Sequence, residues 1–217
     1  MRNQKTRGNT IIEFTFVVAF FLLPMFLFTY AVGFNLLQQL EVVQLTRDAG
    51  HLFVTVPVSL SSNDFQSILN KIGATVGFNS TAPSTAEVIF AKVIYVDTGY
   101  CNAGGGTCSN LNNWVFAQYY TLGVAPTGFV PLLAGPTGVG TTGSNDGTYA
   151  IVDQVNNSKL LIGQNLPGGL STIQPWVKNN SSGLPSGQWC DVVQVAAQPF
   201  NVPLVVTMNA LSDYAAF

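Results

Sequence analysis

The distribution of apolar positions divides the chain in two. From Asn9 to Gln38 the run of apolar residues is broken by a single ionisable side chain, Glu13. The stretch from Ile11 to Leu37 predicts one helix of about 40 Å, longer than the ~30 Å hydrocarbon core of a bilayer. Pro24 lies inside it and predicts a kink in lipid rather than an end. Beyond the run, Leu36, Leu40, Val43 and Arg47 recur at helical spacing, broadened by Leu37 and Val42. Gln38, Gln39, Glu41, Gln44 and Asp48 fill the opposite side. This helix is expected to stop between Gly50 and Val54, before Pro57. A second, short helix fits Asn63–Ile72, with Ser62 or Asn63 as cap, Phe65, Ile68, Leu69 and Ile72 on one side, and Gly73 at its end.

After Gly73 the period shifts towards two. Strands are predicted at Glu87–Asp97, Trp114–Thr121, Tyr149–Val155 and Trp189–Gln198, all rich in β-branched and aromatic residues. A further short strand fits Leu204–Met208, behind Pro203. Long Gly/Thr/Ser/Asn stretches separate them, the longest being Gly123–Gly147. The expected class is α+β: a long N-terminal transmembrane helix followed by a strand-rich, antiparallel domain.

Charge fixes the orientation. Arg2, Lys5 and Arg7 supply three of the eight bases; after Gly8, five bases face ten acids, a net of −5. A basic leader, an apolar span and a mildly acidic body place the N-terminus in the cytoplasm and the body outside. The span is nearly twice the length of an ordinary secretory h-region, and no small-x-small cleavage site follows it, so retention in the membrane is expected. Charged residues make up 8% of the chain, and the few bases are scattered, which argues against nucleic-acid binding.

Candidate chemistry is sparse. Cys101 and Cys108 bracket a Gly-rich loop able to close as a disulfide outside the cytoplasm. Free thiols and a metal site are the alternatives there, and Cys190 is left over as a possible substitute for either partner. Tyr95-Val96-Asp97-Thr98-Gly99 matches an Asp-Thr-Gly loop superficially, but paired-carboxylate chemistry needs a second such loop, and none is present. Asp97 reads instead as an acid ending a strand at a turn. His51, the one histidine, adjoins the membrane helix. Gly135–Gly143 has the glycines of a phosphate loop without its lysine. Four Asn-x-Ser/Thr triplets, at Asn79, Asn156, Asn179 and Asn180, are expected by chance in this composition. No enzyme, cofactor or metal is expected.

The most informative spacing is Arg7-Gly8-Asn9-Thr10-Ile11-Ile12-Glu13-Phe14. A lone carboxylate deep in lipid costs roughly 2.5–3.5 kcal/mol, and much less near the interface. The pattern of basic leader, Gly, four residues, Glu-Phe and a long apolar helix resembles the class III signal of type IV pilin-like proteins. RGNTIIEFTFVVAFFLLPMF is more closely similar to the TadE-like family, the minor pilins (pseudopilins) of the tight-adherence (Tad, Flp-type IVb) pilus. The similarity extends through LEVVQLTRDAGHLFV and covers about residues 1–56. It implies cleavage between Gly8 and Asn9 by a prepilin peptidase of the inner membrane. Glu13 then becomes the fifth residue of the mature chain, the position used in assembly, where it would pair with the Asn9 amine. Phe14 stands where the major Flp pilins often have Tyr, and the body is far longer than theirs; both features favour a minor pilin. The organisation this implies is a leader at 1–8, a pilin-like transmembrane helix at 9–56 and a periplasmic domain at 57–217. The partners would be inner-membrane lipid, the peptidase, other pilins and the Tad secretion machinery. A reading from the residues alone is a signal-anchored periplasmic binding or adhesin domain unrelated to a pilus.

Overall fold

The computed structural model describes residues 6–55, 62–81, 83–103, 107–129, 131, 141–143, 149–151, 189–200 and 210–216. The chain is α+β: a long apolar N-terminal helix followed by an antiparallel sheet. Helix α1 (Thr6–Val17) passes through a π turn (Val18–Leu22) into α2 (Leu23–Thr55) without a break. The π turn lies immediately before Pro24, and the Leu23 N–H bonds back to the Val18 carbonyl, five residues earlier. A proline ring clashes with the carbonyl four residues before it and offers no N–H, so one wide turn lets the helix run on through Pro24. Thr15 and Thr29 turn their hydroxyls inward onto the carbonyls of Ile11 and Met25, each at 2.9 Å, which satisfies both groups within the apolar segment.

Helix α3 spans Asn63–Ile72, as its periodicity predicts; Ser62 accepts the Phe65 N–H at 3.2 Å and Gly73 ends it. Strands β1 (Ala86–Tyr95) and β2 (Trp114–Gly123) follow, with a short helix α4 (Thr98–Ala103) in their connection. Two three-residue strands, β3 (Thr141–Gly143) and β4 (Tyr149–Ile151), edge the sheet, and β5 (Trp189–Ala197) and β6 (Leu211–Ala216) complete it. The order is β3-β4-β2-β1-β5-β6, with every pairing antiparallel.

The central strands β1 and β5 are buried on both faces, which is why their sequences are almost continuously apolar. On one face Val88, Phe90, Val193 and Val195 meet Val42, Leu45 and Ala49 of α2 and Phe65 and Leu69 of α3. The Phe90 ring lies 5.3 Å from that of Phe53 and 5.6 Å from that of Phe65. On the other face Ile89, Ala91, Val93, Val115, Phe116 and Val192 form a second apolar layer.

Three features go beyond the sequence-based expectations. Of the apolar stripe read from helical spacing in α2, Leu36, Leu37 and Leu40 are more than half exposed while Val42 is buried, together with Ala31, Asn35, Leu45, Thr46 and Ala49. Small residues admit the sheet closely; Asn35 bonds across to the Phe200 backbone, and Thr46 turns its hydroxyl onto the Val42 carbonyl of its own helix at 2.8 Å, so polar residues sit on this side beside apolar ones. The end strand at Leu211–Ala216 was not expected; its Ser, Asp and Ala content lacks strand propensity, and pairing with β5 supplies the order. Helix α4 likewise replaces a plain turn after Asp97, whose carbonyl accepts the Cys101 N–H at 2.9 Å. The expected strand Leu204–Met208, and Val152–Val155 of another, lie outside the described residues.

Candidate functional site

The functional candidates lie along the N-terminal helix and at its junction with the sheet. Among the described residues, one long helix is apolar enough to cross a membrane, and none of its most apolar 18 residues is buried against the domain. Gly8 and Asn9 fall in the first turn of α1, and Glu13 and Phe14 follow on its exposed part. Phe16 and Phe20, one turn apart, stack at 5.6 Å. Among the residues from Ile11 onward, the first buried one is Ala31. The twenty residues Ile11–Tyr30 therefore project as bare helix for about 30 Å, the thickness of a hydrocarbon core.

At the junction the helix is fastened to the segment that leaves β5. Asn35 donates from Nδ2 to the Phe200 carbonyl at 2.8 Å and accepts the Phe200 N–H on Oδ1 at 3.0 Å. The second Nδ2 hydrogen goes to the Ala31 carbonyl at 2.9 Å, and Gln38 Oε1 lies 3.1 Å from the same Phe200 N–H. The Phe200 ring sits 4.9 Å from Phe34 and edge-on to Tyr30 at 6.2 Å. Sequence reasoning missed this group. Its signal was an amide pair, Asn35 and Gln38, one turn apart at the end of a long apolar run.

The strands order the rest of the domain by distance from that junction. Ala197 pairs with Ala86, and Gly123 with Glu87, at the near end. The far end carries Tyr95, which packs on Trp114 at 5.2 Å. There Cys101 and Cys108 are joined in a disulfide, with Cα atoms 5.8 Å apart. Cys190 stays outside that bond, packed against the same apolar layer as Cys108. The ends of the ten-residue strand β1 are separated by about 30 Å, so among the described residues the Cys101–Cys108 bond lies at the tip remote from the junction.

Polar chemistry elsewhere is limited. Lys92 faces Asp191 across β1 and β5 at 3.6 Å and lies over the Phe53 ring. Burial pushes the Asp191 carboxyl up despite the opposing pull of Lys92, and burial alone raises that of Glu87. A shallow groove of about 430 Å³ on the outer side of α3 is lined by Asn63, Gln66, Asn70, Lys71, Ser80 and Thr81. It offers amides, hydroxyls and one cation, suited to hydrogen bonding rather than to acid–base chemistry. Asp97 and His51 lie on different elements, the first just before the disulfide helix α4 and the second on α2. Comparison with known protein families, characterised proteins and solved structures finds no match to this chain.

Proposed function

We propose that this protein is a TadE-like minor pilin, a non-enzymatic, single-pass protein of the bacterial inner membrane that takes part in tight-adherence pilus assembly. Its basic end faces the cytoplasm and its sheet domain the periplasm. Prepilin peptidase removes residues 1–8, leaving Asn9 as the new N-terminus and Glu13 as the fifth residue of the mature chain. The Glu13 carboxylate then meets the Asn9 amine of a neighbouring subunit, which offsets the cost of carrying an acid into the apolar layer. The observation that carries this reading is the Gly8/Glu13 spacing at the head of one continuous helix. The first half of that helix is bare, free to exchange lipid for other pilin helices, while its second half is built into the sheet.

The test is the mass of the mature N-terminus from cells with and without the peptidase. A chain starting at Asn9 in the first and Met1 in the second is expected. An intact Met1 in both, or cleavage near Ala31–Gly33, overturns the reading. A signal-anchored binding or adhesin domain is the second reading, favoured by the groove beside α3, where amides and hydroxyls edge a mainly apolar lining. It predicts normal function after Gly8 substitution and no protein in sheared surface fractions.

A further inference from the structure

We propose that Tyr30, Phe34, Leu37 and Phe200 form a collar that seats the sheet domain directly on the outer headgroup layer of the membrane. The inference rests on the membrane-anchor part of the reading above and is independent of any pilus role.

The helix sets the level. If Glu13 lies at the inner interface, the residues from Phe14 to Phe34 cover about 30 Å, the depth of the hydrocarbon core. Tyr30 and Phe34 then occupy the last turn before the outer surface, where aromatic rings are favoured at the water boundary. Phe34 is 39% and Tyr30 53% exposed, so both rings remain available to lipid.

The sheet side sets the same level independently. Phe200 is held against Tyr30 and Phe34 through the Asn35 and Gln38 amides, a segment 165 residues away in sequence. The loop leaving β5 is thereby fixed at the depth where bare helix ends and packed helix begins. Leu37 continues the Tyr30–Phe34 stripe at i+7 and Leu36 lies on the side away from the sheet; both stay about 60% exposed although the sheet has already docked. They lie within one turn of Phe34, inside the headgroup layer, which extends some 5–7 Å beyond the core on each side. An interfacial lipid layer explains apolar residues on both sides of the helix at one height; the sheet does not cover them. With the domain seated this way, the strands rise from the membrane and the disulfide loop points away from it.

The full-length chain, reconstituted in phosphatidylcholine nanodiscs, tests this through three single variants: Phe20→Trp, Leu37→Trp and Phe200→Trp. Acyl chains brominated near the headgroup or near the bilayer centre serve as quenchers, and the parent's fluorescence is subtracted. Phe20→Trp should be quenched most by the deep bromines, and the other two by the shallow ones, at least twofold above the parent. Quenching at position 20 with none at 200 overturns the collar while leaving the anchor standing. Quenching at 37 without 200 does the same and places the domain clear of the lipid. No quenching at position 20 overturns the anchor, and the collar with it. Leu37 is exposed, so its variant reports the level even if Phe200→Trp perturbs the loop.

Discussion

Asn35 and Phe200 exchange a pair of hydrogen bonds, at 2.8 and 3.0 Å, that reproduces on a side-chain amide the two-way pairing of neighbouring strands. The third bond, to the Ala31 carbonyl, uses the remaining amide hydrogen. Asn35 is 4% exposed, so its loss strands backbone groups where water is scarce. Asn35→Ala is expected to cost about 1–3 kcal/mol. Asn35→Asp should cost at least as much, because a carboxylate would face the Phe200 carbonyl. Thermal unfolding in detergent, followed by the near-ultraviolet signal of the aromatic residues, measures both.

Phe90 joins the long helix, the short helix and the sheet through its contacts with Phe53 and Phe65. Removing its ring leaves a cavity bounded by three elements that cannot collapse together. Phe90→Ala should destabilise by about 3–5 kcal/mol, and Phe90→Leu by clearly less. Phe20→Ala, in the bare segment, should leave the unfolding midpoint of the domain unchanged.

Gly123 ends β2 at φ +88°, and an added Cβ would collide with the Ala86 carbonyl oxygen. That carbonyl accepts the Val124 N–H at 3.1 Å, so it cannot retreat without losing a bond. Gly123→Ala is expected to lower stability by roughly 1–3 kcal/mol. Gly128, also at positive φ but with open space around its Cα, should lose less on the same change. Chemical denaturation of the two variants side by side makes the comparison.

The buried carboxyls make stability depend on pH. Glu87 and Asp191 both hold their protons more tightly in the fold than in the unfolded chain. Their contribution is therefore fully present below the ordinary carboxylate range near ~4 and is lost as pH rises through the raised folded values. Glu87→Gln should flatten that decline and raise the midpoint at neutral pH. Lys92→Met, which removes the cation facing Asp191, should be more damaging at neutral than at acid pH. Melting curves across that range, for parent and variants, decide the sign.

The Cys101–Cys108 bond closes a loop of about eight residues, for which chain entropy implies roughly 2–3 kcal/mol. Reduction, or a Cys101→Ser/Cys108→Ser double variant, should lower the unfolding midpoint accordingly. Cys190 should remain reactive to a thiol label after denaturation without reductant, which quantitative alkylation with mass analysis would reveal.

The sequence was most informative where one local rule acts alone. Helix α3 is legible because Ser62, the 3–4 spacing of Phe65, Leu69 and Ile72, and Gly73 all agree. The central strands are legible from β-branched runs, since both faces are buried. The packing side of α2 was less legible, because it mixes Val42 and Leu45 with small and amide-bearing positions, Ala31, Asn35 and Ala49, and leaves Leu36, Leu37 and Leu40 exposed. Strand β6 was hidden for a related reason: Leu-Ser-Asp-Tyr-Ala-Ala has no strand character of its own and is ordered by its neighbour. The junction itself depends on two segments 165 residues apart, a coincidence that no local window contains.

The unbroken run of α2 from Leu23 to Thr55 makes the two halves of the molecule one lever. No glycine- or proline-rich joint lies between the bare turns and those that carry the sheet. A step of one residue along the helix axis is about 1.5 Å of travel and 100° of rotation. Any partner that grips the bare half and turns it as it advances would swing the disulfide tip through that same arc. The direction in which the tip points would then report how the bare end is held.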